Sequence, residues 1–276
     1  MHRGRRDGGL ADGARRAAVA PRTPSGRPVR DRVTVRVQFL GSGNAFSDGG
    51  RANAAIHVTA PGVSLLLDCG GSALPAIKKH VDCESIDAIA VTHLHGDHFG
   101  GIAYFAIEQH FGGRKRELVV GGPPSLEARL RAAEQALYPD FFGPIALAYP
   151  FRTVVLGERP TRLGGADVTA LPVRHVRLAE PHGLRVAVGG KLIAYSGDAR
   201  WSEHLVPVAR GADLFICEAS YWSGEDPAHI SYEQLMAHRE ELGAKRIVLT
   251  HLGATTLEHL DEVALEYAVD GTLIDV

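Results

Sequence analysis

Alternation marks the first element of the chain. Val33, Val35 and Val37 are separated by Thr34, Arg36 and Gln38, the period of two that a half-buried strand requires. The run continues into Phe39 and Leu40 and stops at the loop Gly41-Ser42-Gly43-Asn44. A strand pair is predicted over Ala55–Thr59 and Ser64–Leu67, with Pro61-Gly62 as its turn and Asp68-Cys69-Gly70 closing it. Ser72–Val81 reads as a helix, Ile86–Thr92 as a short buried strand and Ile102–Phe111 as a second helix. Further on, Leu118–Val120, Phe151–Leu156, Val168–Val173, Leu184–Val188, Lys191–Ser196 and Leu214–Glu218 have strand patterns, and Ser125–Leu137 a helical one. Ser231 with Gln234 predicts a capping box for a helix over Tyr232–Leu242 that ends at Gly243. Arg246–Thr250 and Thr272–Val276 read as strands, and Thr255 with Glu258 predicts the start of a last helix. Strands and helices interleave in both halves, which argues for layered sheets covered by helices.

Composition changes this picture only at the start of the chain. Residues 1–32 contain nine Arg and three Asp among Gly, Ala and Pro and lack periodicity, so they read as a disordered Arg-rich extension preceding one domain at 33–276. Beyond residue 32, 21 Lys and Arg face 29 Asp and Glu, an acidic balance unlike that of a general nucleic-acid binder. No apolar run reaches the roughly 18 residues of a membrane span, and no secretory signal pattern is seen. Three cysteines without a CxxC pair fit a reducing, cytoplasmic setting.

Chemistry concentrates in Thr92-His93-Leu94-His95-Gly96-Asp97-His98, where four metal-ligand side chains fall within six residues at the end of an apolar strand. Imidazole and carboxylate are ordinary zinc ligands. A helix would scatter them around its axis, whereas a loop leaving a strand can aim them at one place, with Gly96 supplying conformational freedom. His93 and His95 can serve one ion, Asp97 and His98 a second.

This segment resembles the HxHxDH signature of the metallo-β-lactamase superfamily, and the likeness extends over about residues 33–276. It implies an α/β fold, a four-layer αββα sandwich. It also implies three ligands from later strand ends: His175 in Pro172-Val173-Arg174-His175, Asp198 in Ser196-Gly197-Asp198 as the bridge, and His251 in Leu249-Thr250-His251. His182 lies near enough to compete with His175, but His175 followed by Gly183-Leu184-Arg185 fits the family pattern better. The cofactor expected is a pair of divalent ions, zinc foremost and manganese or iron as alternatives. Two such ions can share one hydroxide and lower its pKa towards neutrality, with Asp97 orienting the nucleophile. The likeness also suggests a homodimer.

Within the superfamily, the ribonuclease Z-like branch is resembled most. Leu40-Gly41-Ser42-Gly43 resembles its glycine loop, Arg51-Ala52-Asn53 its Arg-x-Asn segment, Cys217-Glu218-Ala219-Ser220 its His-Glu-Ala-Thr motif with Cys217 in place of histidine, and His229-Ile230-Ser231 its His-Ser-Thr motif. By that likeness Glu218 and His229 relay a proton to the leaving oxygen and Ser231 donates to a phosphate. Only 23 positions separate His175 from Asp198, too few for the tRNA-gripping arm of bacterial-type ribonuclease Z. The expected partner is therefore a small or cyclic phosphodiester; RNA is not favoured, and tRNA 3′-processing stands as an alternative. Antibiotic-hydrolysing members carry Cys at the Asp198 position, and di-iron oxygen reductases carry Glu at the His95 position. Thioesterases and lactonases of the fold share much of the ligand set and remain the principal enzyme alternative.

Overall fold

The structure, a computed structural model, describes residues 34–141 and 145–276. The Arg-rich extension at 1–32 and the residue Val33 lie outside the described residues. Strands β1 (Arg36–Gly41), β2 (Ala55–Ala60) and β3 (Val63–Leu67) form an antiparallel meander. Then β4 (Ala88–Ala90), β5 (Leu118–Gly122) and β6 (Phe151–Val155) join it in parallel. Strands β7 (Thr161–Leu163), β8 (Ala166–Pro172), β9 (His182–Val188) and β10 (Lys191–Tyr195) open a second sheet with antiparallel pairings. Parallel additions β11 (Leu214–Glu218), β12 (Ile247–Thr250) and β13 (Glu266–Tyr267) complete it. The last strand, β14 (Leu273–Asp275), returns to the first sheet beside β1. The orders are β14-β1-β2-β3-β4-β5-β6 and β13-β12-β11-β10-β9-β8-β7.

Parallel neighbours need crossovers, and helices supply them. Helix α1 (Ala73–His80) links β3 to β4; α2 (Gly96–Phe99) and α3 (Ile102–Phe111) link β4 to β5; α4 (Leu126–Leu137) links β5 to β6. On the other sheet α5 (Leu205–Ala209) and α6 (Tyr232–Leu242) do the same for β10, β11 and β12, with α7 (Ala254–Leu257) after β12.

The apolar runs of the central strands follow from burial on both faces. In β3, Leu65 and Leu67 meet the facing sheet, while Leu66 turns to the helix side with Ile77 and Phe105. In β11, Leu214 and Ile216 enter the intersheet core, while Phe215 and Cys217 pack with Leu205, Leu235 and Leu242. Three buried clusters, one between the sheets and one under each helical layer, make the molecule a four-layer αββα sandwich. Each such side chain contributes about 1.5–3 kcal/mol by leaving water.

Local departures from the sequence pattern have physical reasons. The capping box at Ser231 forms: Gln234 N–H donates to Ser231 Oγ at 3.3 Å, and Ser231 N–H donates to Gln234 Oε1 at 3.4 Å. Thr255 does not cap the last helix. Gly253 does, and Thr255 Oγ1 instead accepts from the Trp222 N–H at 3.2 Å. The three-residue β7 and two-residue β13 are too short to show a period, and Pro207 masks α5. The glycine loop after β1 lies against residues 51–53, where Gly43 N–H donates to Ala52 O at 2.7 Å; a Cβ at Gly41 or Gly43 would run into that backbone.

Candidate metal centre and active-site cavity

The ends of β4, β8, β10, β11 and β12 carry His93, His175, Asp198, Glu218 and His251, so separate stretches of sequence deliver them to one place. The segment after β4 is only partly a loop. His93, Leu94 and His95 leave the strand, but Asp97 and His98 lie in the single turn α2, with His95 at its N-cap. Successive helical residues diverge by about 100°, so His98 is fully buried while Asp97 borders the cavity. Gly96 has no positive φ and open space around it, so the freedom expected of it is not used. The close approach is at Gly70, where a Cβ would overlap the Asp97 carbonyl and the Asn53 side chain.

His93, His95, His175 and Asp198 form one group of donors, and Asp97, His98, Asp198 and His251 a second. In the first, His95 Nδ1 lies 3.1 Å from both His93 Nε2 and His175 Nε2. Asp198 Oδ2 is 3.6 Å from His93 and 4.0 Å from His175. In the second, His98 Nε2 is 3.3 Å from Asp97 Oδ2 and 3.1 Å from Asp198 Oδ1, and His251 Nε2 is 3.3 Å from each of the same oxygens. Asp198 thus turns one oxygen to each group.

Partners behind the rings fix which nitrogen is bare. His175 Nδ1–H donates to Ala228 O at 2.7 Å and His98 Nδ1–H to the buried Asp68 carboxylate at 2.7 Å. The Ser220 hydroxyl donates to Glu218 Oε2, so at 3.0 Å it accepts from His251 Nδ1–H. Each Nε2 is left as a lone pair aimed inward. Burial holds the His93 pKa well below its ordinary value, favouring the neutral ring.

The donor set fits metal ions. Two ligands about 2.1 Å from a tetrahedral ion sit about 3.4 Å apart, close to the separations in both groups. His98 Nε2 and Asp198 Oδ1 are buried, face each other and have no hydrogen-bond partner. Bare nitrogen against carboxylate oxygen repels unless a proton or a metal cation lies between them, and His98 Nε2 is aimed at Asp97 and Asp198 together, as a shared cation requires. Residues capable of holding a binuclear divalent site are therefore assembled.

Asp68 belongs to none of the motifs above. It is fully buried at φ 58°, accepts from Thr92 N–H at 2.8 Å and from the Thr92 hydroxyl, and holds His98. Only its place in Asp68-Cys69-Gly70, at the end of an apolar strand, hinted at a role.

Both groups open into a cavity of about 460 Å³ that is also lined by Asn44, Phe46, Ser220, Tyr221, His229 and Thr255. His229 Nδ1 pairs with Glu218 Oε2 at 3.0 Å and Oε1 at 3.1 Å, and its ring stacks over His251 at 5.7 Å. Burial alone would lower the His229 pKa, but the Glu218 carboxylate outweighs it and holds the ring up at about 9. Glu218 is fully buried and also accepts from Ala199 N–H at 2.6 Å. Ser231 stands apart: it does not line the cavity, and its hydroxyl donates to Gly224 O at 2.8 Å within the helix cap. His182 turns its Nδ1 to Glu180 O at 2.8 Å and joins neither group.

A family model described as Anti-Pycsar protein Apyc1 matches residues 35–267. An Anti-Pycsar protein Apyc1 from Bacillus phage BSP38 is 28% identical over 237 residues, covering 80% of this chain and 90% of that protein. A Ribonuclease Z from Methanothermobacter thermautotrophicus is 28% identical over 281 residues, covering 85% and 91%. Among solved structures, the metallo-β-lactamase fold protein YhfI from Bacillus subtilis superposes with TM-score 0.73 at 20% identity, covering 88% of this chain and all of that one.

Proposed function

Because the chain belongs to the Anti-Pycsar protein Apyc1 family, on a metallo-β-lactamase fold carrying two metal-binding clusters, we propose that it is a binuclear metal-dependent phosphodiesterase acting on a small or cyclic phosphodiester. His93, His95 and His175 would hold one ion and Asp97, His98 and His251 the other, with Asp198 offering an oxygen to each group. Zinc is the metal proposed, manganese and iron being compatible with the same donors. Bound there, the ions supply Lewis acidity at the phosphoryl oxygens and a water of lowered pKa.

The observation that carries the phosphodiester reading is His229, held by the buried Glu218 carboxylate in the wall of the same cavity. A protonated ring paired through Nδ1 keeps a second N–H, on Nε2, to give to a leaving oxygen. The alkoxide leaving group of a phosphodiester, like that of a lactone, needs that proton; a thiolate, whose conjugate acid has a pKa of about 8.5, departs without it, so the pair argues against a thioester. Glu218 keeps the proton on Nδ1 once the other has gone and so fixes the ring orientation. Asp97, accepting at the edge of the second group, orients the attacking water.

Charge narrows the substrate. Among the described residues no Lys or Arg lines the cavity, so protonated His229 is the one side-chain cation it offers, too little for a monoester dianion or a polyphosphate tail. A phosphodiester brings one negative charge, which the ions and His229 can meet. The cavity also has the size of a small-molecule site, and the body beyond residue 32 is acidic, both against a tRNA.

The test uses metal-analysed full-length protein with bis(p-nitrophenyl) phosphate, a 3′,5′-cyclic nucleotide, a thioester and a lactone side by side. Phosphodiester cleavage that vanishes in Asp97→Ala is expected. Thioester or lactone turnover without phosphodiester turnover would replace this reading with a carboxylic-ester hydrolase.

A further inference from the structure

Asp270 belongs to neither donor group and does not line the cavity, yet three donors from two other segments converge on its carboxylate. Oδ1 accepts from the Ser42 N–H at 2.9 Å and from the Ser42 hydroxyl at 2.8 Å, and Oδ2 accepts from the Ala52 N–H at 2.8 Å. One side chain thus clamps the glycine loop after β1 to the segment Arg51-Ala52-Asn53. Asp270 is itself fastened from behind. Its neighbour Gly271, at φ 91°, donates its N–H to Phe39 O at 2.7 Å, and Thr272 N–H closes the turn on Val269 O at 2.9 Å. The clamp therefore takes its position from β1 and from the turn before β14.

Ser42 passes that position on to a residue of the second donor group. It is fully buried, and its carbonyl accepts from the His251 N–H at 2.9 Å. His251 sits at φ 57°, a left-handed conformation that a non-glycine residue keeps only where its surroundings impose it. This conformation turns the chain at the end of β12, with Nε2 of the ring 3.3 Å from Asp97 Oδ2 and from Asp198 Oδ1. Ser220 fixes the ring through Nδ1, whereas Ser42 O holds the backbone N–H. His93, His95 and His175 take their side-chain hydrogen bonds from Thr92, from one another and from Ala228, not from this loop.

We infer that Asp270 is a positioning residue for His251: by fixing Ser42 it holds the His251 backbone in the conformation that delivers Nε2 to the second donor group. This rests on the binuclear reading of the site. A carboxylate suits the task because all three of its partners are donors. An amide keeps one accepting oxygen and sets its NH₂ against either the Ser42 N–H or the Ala52 N–H. The clamp then opens on one side and Ser42 O moves away from His251. Loss of a partner behind a metal ligand weakens metal binding about 10- to 100-fold. The loss falls on the ion that His251 serves and spares the one served by His93, His95 and His175.

The experiment compares full-length parent and Asp270→Asn protein. Zinc affinities are read by competition with a chromophoric chelator, and backbone amide exchange by NMR on the metal-free chains. In Asp270→Asn the second ion is expected to bind about 10- to 100-fold more weakly while the first keeps its parental affinity. The His251 N–H is expected to exchange about 2- to 10-fold faster, as loss of one hydrogen bond dictates, while Val248 and Leu249 in β12 keep their parental rates. Asp270→Ser, which removes the clamp without turning an NH₂ group on the loop, is the second variant and is expected to behave alike. Parental affinity for both ions, equal weakening of both, or a His251 amide that exchanges at the parental rate or in step with the rest of β12 overturns the inference. If the parent binds no zinc, the binuclear reading fails, and the exchange rates alone decide whether Asp270 holds His251.

Discussion

Replacing Asp68 by Asn removes one charge and adds one donor without moving the backbone. The residue lies at φ 58°, where Asn is tolerated as well as Asp. Its carboxylate does three things, all as an acceptor: it takes the Thr92 N–H at 2.8 Å, the Thr92 hydroxyl at 2.9 Å and His98 Nδ1–H at 2.7 Å. An amide keeps one accepting oxygen and turns an NH₂ towards either Thr92 or His98. If it faces His98, the ring moves its proton to Nε2, the atom aimed at Asp97 and Asp198, and stops being a ligand. If it faces Thr92, His98 keeps its tautomer but loses the charge that makes it a stronger base. A hydrogen bond to a charged group contributes about 1.5–3 kcal/mol, and loss of a partner behind a metal ligand weakens metal binding about 10- to 100-fold. The effect should fall on the ion held by Asp97, His98 and His251 and spare the one held by His93, His95 and His175. Competition with a chromophoric chelator, read as metal bound per chain, should show a first ion of parental affinity and a weakened second one. Phosphodiester turnover should fall with second-site occupancy and recover with added metal. If the Asn variant binds two ions as tightly as the parent, Asp68 does not orient His98 and the tautomer argument fails.

Two further outcomes follow from other parts of the molecule. His57 is buried against Ser64 Oγ at 2.9 Å, and burial lowers its pKa to about 4. The unfolded chain, with a value near 6.5, then binds the extra proton between those limits, so stability is full above about pH 6.5 and falls towards pH 4, by up to about 3 kcal/mol. Denaturant titrations at pH 7 and pH 5 should show a smaller loss in His57→Gln than in the parent; equal losses would refute this. Gly70→Ala places a Cβ into the Asp97 carbonyl and the Asn53 side chain, so it should shift α2 and cut turnover and metal retention by at least tenfold, as second-sphere damage does; parental metal content and activity would show that the close approach is not needed.

What the sequence discloses about the site depends on how local the signal is. The ligand candidates 93, 95, 97 and 98 announce themselves because four donors crowd one segment. His175, Asp198 and His251 are legible only through the strands that precede them and the resemblance in their order. Asp68 acts on a residue 30 positions away, so nothing near it in sequence marks its task. Phe46 looks like any loop aromatic until the Asn44 and Asp48 hydrogen bonds show that its loop is fixed. The helical turn of α2 is hidden because four residues cannot display a 3.6-residue period. Ser231 carries two compatible signals, a cap and a phosphate contact, and its hydroxyl bond to Gly224 places it in the cap. The layered fold is more legible than the site because apolar runs such as Val63–Leu67 and Leu214–Glu218 report burial on both faces directly.

Placement also divides the labour between rigid and variable parts. His93, His175, Asp198, Glu218 and His251 follow or end strands whose neighbours are hydrogen-bonded on both sides or packed between two cores. Such positions hold donor atoms to within the few tenths of an ångström that coordination requires. Asp68, Asp198 and Glu218 are buried carboxylates, and a buried charge whose partner is removed costs about 3–5 kcal/mol, so the fold accepts them only with compensating donors or cations in place. Phe46, by contrast, sits on the loop between β1 and β2, where a change of side chain disturbs no strand pairing.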